Sequence, residues 1–220
     1  MASDGHPLPV PASIVFDLGG VVVRWEPDAF LAEVYPDPAV RERVRTELVR
    51  HDDWRELDRG TLTVDAALRR ASARSGLPKE TIAHFLDHVP EALEPVPETV
   101  ALLRDLKCAG HPLFCLSNMH HAFVERFEQK HDFLDLFDGV VVSCRVGLVK
   151  PEPAIYEHLL ATYQLQGKDA VFVDDDARNV QVGEALGMRG IHFVDAAQCR
   201  LELHRLGCSA TSSSSSPPSP

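Results

Sequence analysis

The sequence predicts a doubly wound α/β fold, a mainly parallel sheet interrupted after its first strand by an inserted helical module. Three observations carry that expectation. Short apolar runs at Ser13 to Phe16, Pro112 to Leu116, Gly139 to Ser143, Ala170 to Val173 and Gly190 to Val194 alternate with helical segments, which implies right-handed crossovers between parallel strands. Between the first and second runs, residues 27 to 95 carry apolar positions at helical spacing. Several of the runs also deliver polar residues at their carboxyl ends, where open parallel sheets bind ligands.

Taken in order, residues 1 to 11, with Pro7, Pro9 and Pro11, read as an irregular lead-in. The first strand stops at Asp17-Leu18-Gly19-Gly20, and the glycine pair lets the backbone turn closely over its end. The helical stretch follows with Phe30, Leu31 and Val34, then Val44, Leu48 and Val49, then Ala67, Leu68 and Ala71, then Ile82, Phe85, Leu86 and Val89. Breaks are expected at Pro36 to Pro38, Gly60, Gly76-Leu77-Pro78 and Pro90. A helix led by Pro97-Glu98 closes near Gly110, Phe123 and Phe127 mark another, a third spans about 152 to 163, and a fourth stops at Gly187. This divides the chain into an α/β core at 12–25 and 95–207 and a helical module at 26–94. The termini, 1–11 and the Ser/Pro-rich 208–220, are expected to be disordered, since such composition buries too little apolar surface.

The chain's 220 residues can bury a sizeable core, and 45% hydrophobic with 25% charged residues is ordinary globular composition. A formal charge of −11 argues against nucleic-acid binding and against attachment to an anionic membrane, because both lean on basic patches. No apolar stretch approaches the length of a bilayer span, and the N-terminus does not resemble a signal peptide. The five cysteines are odd in number, far apart and never paired as CxxC, so they read as reduced thiols of a cytoplasmic protein. An acidic chain that handles an anionic substrate must supply positive charge locally, from a metal, a lysine or backbone N–H groups.

Four stretches carry candidate chemistry. Asp17, at the end of a buried strand, is placed as a nucleophile or metal ligand, or as a turn residue capping the next segment. Ser117 and Asn118 end the second strand as donors for an oxyanion or phosphate, or as the start of a helix. Lys150 lies in the loop Gly147-Leu148-Val149-Lys150-Pro151, a position shared by solvated lysines and phosphate-neutralising ones. Asp174, Asp175 and Asp176 follow a buried strand, where adjacent carboxylates repel one another unless a cation sits between them.

All four together, in this order, resemble the haloacid dehalogenase superfamily. The resemblance covers about residues 13 to 195, and residues 26–94 then correspond to that superfamily's α-helical cap. Finer features resemble its glucose-1-phosphate phosphatase-like branch: Asp17-Leu18-Gly19-Gly20-Val21, His51-Asp52-Asp53-Trp54 leading to Arg59-Gly60, Leu116-Ser117-Asn118, Gly147 to Pro153, and Asp174-Asp175 with Asn179. The resemblance implies a phosphatase in which Asp17 attacks phosphorus and forms an aspartyl-phosphate that water hydrolyses. It implies Mg²⁺ held by Asp17, the backbone carbonyl of Gly19, Asp175 and, beside them, Asp174. Ser117, the Asn118 backbone N–H and the Gly19-Gly20 turn would bind substrate, while Lys150 would neutralise Asp17 and the transferring group. The partner implied is a small phosphorylated metabolite, with a sugar phosphate as one candidate.

One departure stands out. Most phosphatases of the superfamily carry a second aspartate two residues after the nucleophile, acting as acid and then base; here that position is Gly19. Losing a positioned acid commonly costs about 10²- to 10⁴-fold in rate. A water, or His120, His121, Glu26 or Asp28, are the candidate proton relays, with the two histidines otherwise a solvated helix start. Trp25, Trp54 and Arg55 are candidates for contacts over the crevice, with the tryptophans otherwise packing residues. Two alternatives remain in the sequence: a metal-free 2-haloacid dehalogenase, which the acidic cluster opposes, and a weakly active binder of a phosphorylated ligand or partner.

Overall fold

The computed structural model describes residues 12–208, and the expectations for 1–11 and 209–220 lie outside them. Five strands, β1 (Ser13–Phe16), β2 (Leu113–Ser117), β3 (Gly139–Val142), β4 (Ala170–Asp174) and β5 (Arg189–His192), form one sheet in the order β3-β2-β1-β4-β5. Every pairing is parallel. Phe16 pairs with Cys115 on one side and Val173 on the other. That register brings Asp17 and Asp174, each one residue further on, to the same edge of the sheet beside Ser117.

Alternation along the strands gives the sheet two apolar faces. Ile14, Phe16, Leu113, Cys115, Val171 and Val173 bury one face together with side chains of the helical stretch. Val15, Phe114, Leu116, Val141 and Phe172 bury the other against Ile155, Tyr156 and Leu159. On that second face the fully buried Tyr156 meets Phe172 edge-on at 5.3 Å and donates its hydroxyl to the Asn179 carbonyl at 3.1 Å.

Between β1 and β2 run α1 (Pro27–Val34), α2 (Pro38–Val44), a π-helical turn (Arg45–Val49), α3 (Asp52–Arg59), α4 (Val64–Ser75) and α5 (Lys79–Ala92). Local chemistry sets these bounds. The Asp37 side chain accepts the Ala39 N–H at the start of α2, His51 Nδ1 accepts the Asp53 N–H at the start of α3, and Thr63 caps α4. Gly60, at φ 81°, ends α3 in the left-handed conformation open to glycine. The expected break at Pro90 does not occur: α5 runs through it to Ala92. Only two residues follow Pro90 in the helix, and its ring is buried, so one missing N–H is tolerated.

The remaining α-helices are α6 (Pro97–Cys108), α7 (His121–Lys130), α8 (Ser143–Val146), α9 (Pro153–Thr162), α10 (Ala177–Ala185) and α11 (Ala196–Arg205). Ser143 opens α8 instead of ending β3. The last strand ends earlier than its apolar run: Phe193 still donates its N–H to Asp174 O, but the exposed Val194 has left the sheet. Cys208, placed by composition in the disordered tail, is buried and donates its N–H to Leu203 O. All five cysteines are free thiols. No helix of the described residues is long and apolar enough to cross a membrane.

Candidate active site

A cavity of about 260 Å³ opens over the carboxyl ends of β1, β2 and β4, at the point where strand order reverses. Asp17, Gly19, Ser117, Asn118, Lys150 and Asp175 line it together with Asp176 and Asn179. The fully buried Asp174 lies just beneath. Gly20 lines a neighbouring cleft that also contains Asp175. At φ 75° its absent Cβ would fall 2.1 Å from Asp175 Oδ2, so only glycine lets the turn pass under that carboxylate.

The electrostatic centre is Lys150. Its buried ammonium lies 2.9 Å from Asp17 Oδ1 and 2.7 Å from Asp174 Oδ2, and the two acids raise its pKa against the burial that opposes its charge. Asn118 fixes the loop that carries it: its Nδ2 donates to Lys150 O at 3.0 Å and its Oδ1 accepts the Lys150 N–H at 2.9 Å. Asp174 is held by the Asp176 N–H at 2.8 Å and by Asn179 Nδ2 at 3.0 and 3.1 Å. Asp176 itself caps α10 and pairs with Arg178, which lowers its pKa.

One lysine does not balance these acids. Burial, with Asp174 adding to it and Lys150 opposing, pushes the Asp17 carboxyl up to about 7. Burial and Asp174 likewise raise Asp175. Carboxylate oxygens of Asp17, Asp174 and Asp175 lie within 4.8 Å of one another, a sparse oxygen set of the kind that suits a hard divalent cation retaining several waters.

Apart from Asp58, the opposite wall is apolar: Val23, Trp25, Trp54, Leu93, Met119 and Phe123. Trp25 and Trp54 lie 5.9 Å apart, so the tryptophans both pack and face the cavity. Arg55 instead pairs with Glu152 at 2.8 Å outside it.

None of the four side chains named as proton relays lines this cavity. Asp28 is exposed and paired with Arg45 and Arg50. Glu26 lines the neighbouring cleft. His120 is not a solvated helix start: it is buried between Trp54 and Phe123, both ring nitrogens lack a partner among the described residues, and burial lowers its pKa to about 3. His121 is exposed, as expected. The side chain that does line the cavity is Asp58, near the end of α3, which motif reading passed over. Its one signal was spacing, since Asp58 follows Trp54 by four residues and shares its helix face.

Known proteins share this chain's sequence and fold. The chain is 30% identical over 195 residues to the sesquiterpene phosphatase astK of Aspergillus oryzae, covering 88% of this chain and 96% of that protein. It is 25% identical over 210 residues to the D-ribitol-5-phosphate phosphatase of Bacteroides thetaiotaomicron, covering 87% and 96%. The solved structure of a HAD family enzyme from the same bacterium shares the fold at TM-score 0.66 and 19% identity, over 82% of this chain and 92% of that one. A further structure of that enzyme, at TM-score 0.60, 17% identity and the same coverage, holds magnesium and inorganic phosphate. The model of the haloacid dehalogenase-like hydrolases matches residues 12–187, and the chain belongs to that family.

Proposed function

We propose that this hydrolase is a Mg²⁺-dependent phosphatase that cleaves a small phosphate monoester through an aspartyl-phosphate on Asp17. The observation that carries the reading is the convergence of Asp17, Lys150 and the Asp174-Asp175 pair on one cavity floor. Asp17, Asp175 and the Gly19 carbonyl, with Asp174 beside them, would hold the cation. The cation would supply the positive charge that three carboxylates and a phosphate dianion require and one lysine cannot.

Each side chain then has a task. Asp17 attacks phosphorus in line with the departing oxygen, so one difficult displacement becomes two easier ones. The Ser117 hydroxyl and the Asn118 N–H bind phosphoryl oxygens. Lys150 keeps Asp17 ionised for attack and neutralises the transferring group, the positioning and charge stabilisation on which phosphoryl transfer depends.

The helical residues 26–94 act as a cap over this floor, with Trp25 and Trp54 facing the organic part of the substrate. Their apolar wall favours an apolar organic group over a sugar, which brings few hydrogen-bond partners to such a surface. The sesquiterpene phosphatase relative supports that preference. The acidic cluster disfavours 2-haloacid hydrolysis, because it would repel a carboxylate substrate.

Phosphate release from prenyl, aryl, sugar and nucleotide phosphates, with and without Mg²⁺, tests the proposal. Metal-dependent turnover that Asp17→Asn abolishes, fastest on the prenyl or aryl ester, is expected. Turnover that survives Asp17→Asn refutes the nucleophile, and a sugar phosphate leading the panel refutes the apolar preference.

A further inference from the structure

The cavity floor has a nucleophile, a carboxylate set that would hold a cation, and hydrogen-bond donors, but Gly19 leaves no side chain there to protonate the departing oxygen. The opposite wall holds one. Among the acids that line the cavity, Asp17 and Asp175 belong to the floor, and Asp176 is committed to Arg178 and the start of α10. Asp58 remains. It is 9% exposed, and among the described residues no side chain or N–H donates to its carboxyl.

A buried acid without a partner is costly, so its place needs a reason. The surrounding structure fixes it firmly. Ser143 Oγ donates to the Asp58 carbonyl at 2.6 Å and accepts the Met119 N–H at 3.0 Å, which joins α3 to the loop after β2. The next residue, Arg59, grips Glu152 at 2.6 and 2.9 Å, which joins α3 to the loop after Lys150. The end of α3 is thus fastened to both loops that supply the floor.

We infer that Asp58 is the acid–base residue of this site, standing in for the side chain absent at position 19; the inference rests on the phosphatase reading. In the first step an Asp17 oxygen bonds phosphorus, the bond from phosphorus to the ester oxygen breaks, and the Asp58 proton passes to that oxygen, which leaves as the alcohol. In the second, water bonds phosphorus, the bond to Asp17 breaks, and the proton that water releases returns to Asp58. The residue ends as it began. Burial, reinforced by the Asp17 charge, pushes its carboxyl up to about 8, so it carries the required proton at neutral pH.

The test compares Asp58→Asn with the unaltered protein on an alkyl phosphate, whose leaving group needs a proton, and on an aryl phosphate, whose leaving group needs little help. The expected result is a loss of about 10²- to 10⁴-fold in kcat on the alkyl ester, and within about tenfold on the aryl ester. Asp58→Ala must show the same split, and thermal melting confirms that each variant is folded. Equal loss on both esters, or none on the alkyl ester, overturns the inference. If the unaltered protein releases no phosphate from the aryl ester, or Asp17→Asn leaves that release intact, the phosphatase reading itself fails and the inference falls with it.

Discussion

Two acids on one helix, Asp53 and Asp58, have opposite surroundings. Both are buried, at 4% and 9% exposure, and they lie five positions apart on α3. Asp53 is gripped by Arg70 at 2.9 Å and Arg74 at 2.8 Å, bonds that hold its carboxyl below the usual range despite burial. Asp58 has no such partner among the described residues, and its pKa is raised. The difference teaches where to look for chemistry: an acid whose charge is answered by neighbours holds helices together, while one left unanswered at a cavity wall is free to exchange a proton.

Three substitutions sharpen or break that contrast, beginning with the largest effect. Lys150→Met removes the one cation paired with Asp17 and Asp174 among the described residues, and is expected to cost about 3–5 kcal/mol in denaturant unfolding as well as turnover. A loss below about 1 kcal/mol would mean that water, not Lys150, screens them. Asp53→Asn should cost less, about 1–2 kcal/mol, because Arg70 and Arg74 are partly exposed and regain water. Its folded pKa lies below the reference 3.8, so the contribution is complete above that pH and fades as pH falls through the lower folded value. Wild type and variant should therefore converge in acid, and a pH-independent gap would point to packing instead of charge.

Asp58→Asn has the opposite sign and the smallest size. The folded protein keeps a proton that the unfolded chain releases between pH 3.8 and about 8, so the acid costs stability increasingly across that window. Without added metal, the variant should melt about 2–4 °C higher at pH 8, equivalent to about 1 kcal/mol, with the gain shrinking toward pH 4. A lower melting temperature at pH 8 would show that Asp58 has a partner after all.

The floor was legible in the sequence because parallel strands deliver their carboxyl ends to one edge: Asp17, Ser117 and Asp174 are adjacent by register alone. Lys150 was legible by its place before a proline-started helix. Asp58 was not, since its burial depends on α3 docking onto Ser143, 85 residues away, and Leu57-Asp58-Arg59-Gly60 reads only as a helix end. His120 misled for the same reason: its neighbour Trp54 comes from another part of the chain. Pairwise docking across long sequence separations leaves no local pattern.

The two glycines after Asp17 differ in how freely they can change over descent. Any side chain at position 20 would displace Asp175, so that position is closed to variation. At position 19 the nearest atoms a Cβ would meet belong to Trp25, at an ordinary 3.5 Å, and the backbone there is not left-handed. The turn could therefore acquire an aspartate without being rebuilt. A lineage with this architecture can move its proton donor from the helical wall to the floor by substitution at a single codon, and back again, while the nucleophile and its lysine stay where they are.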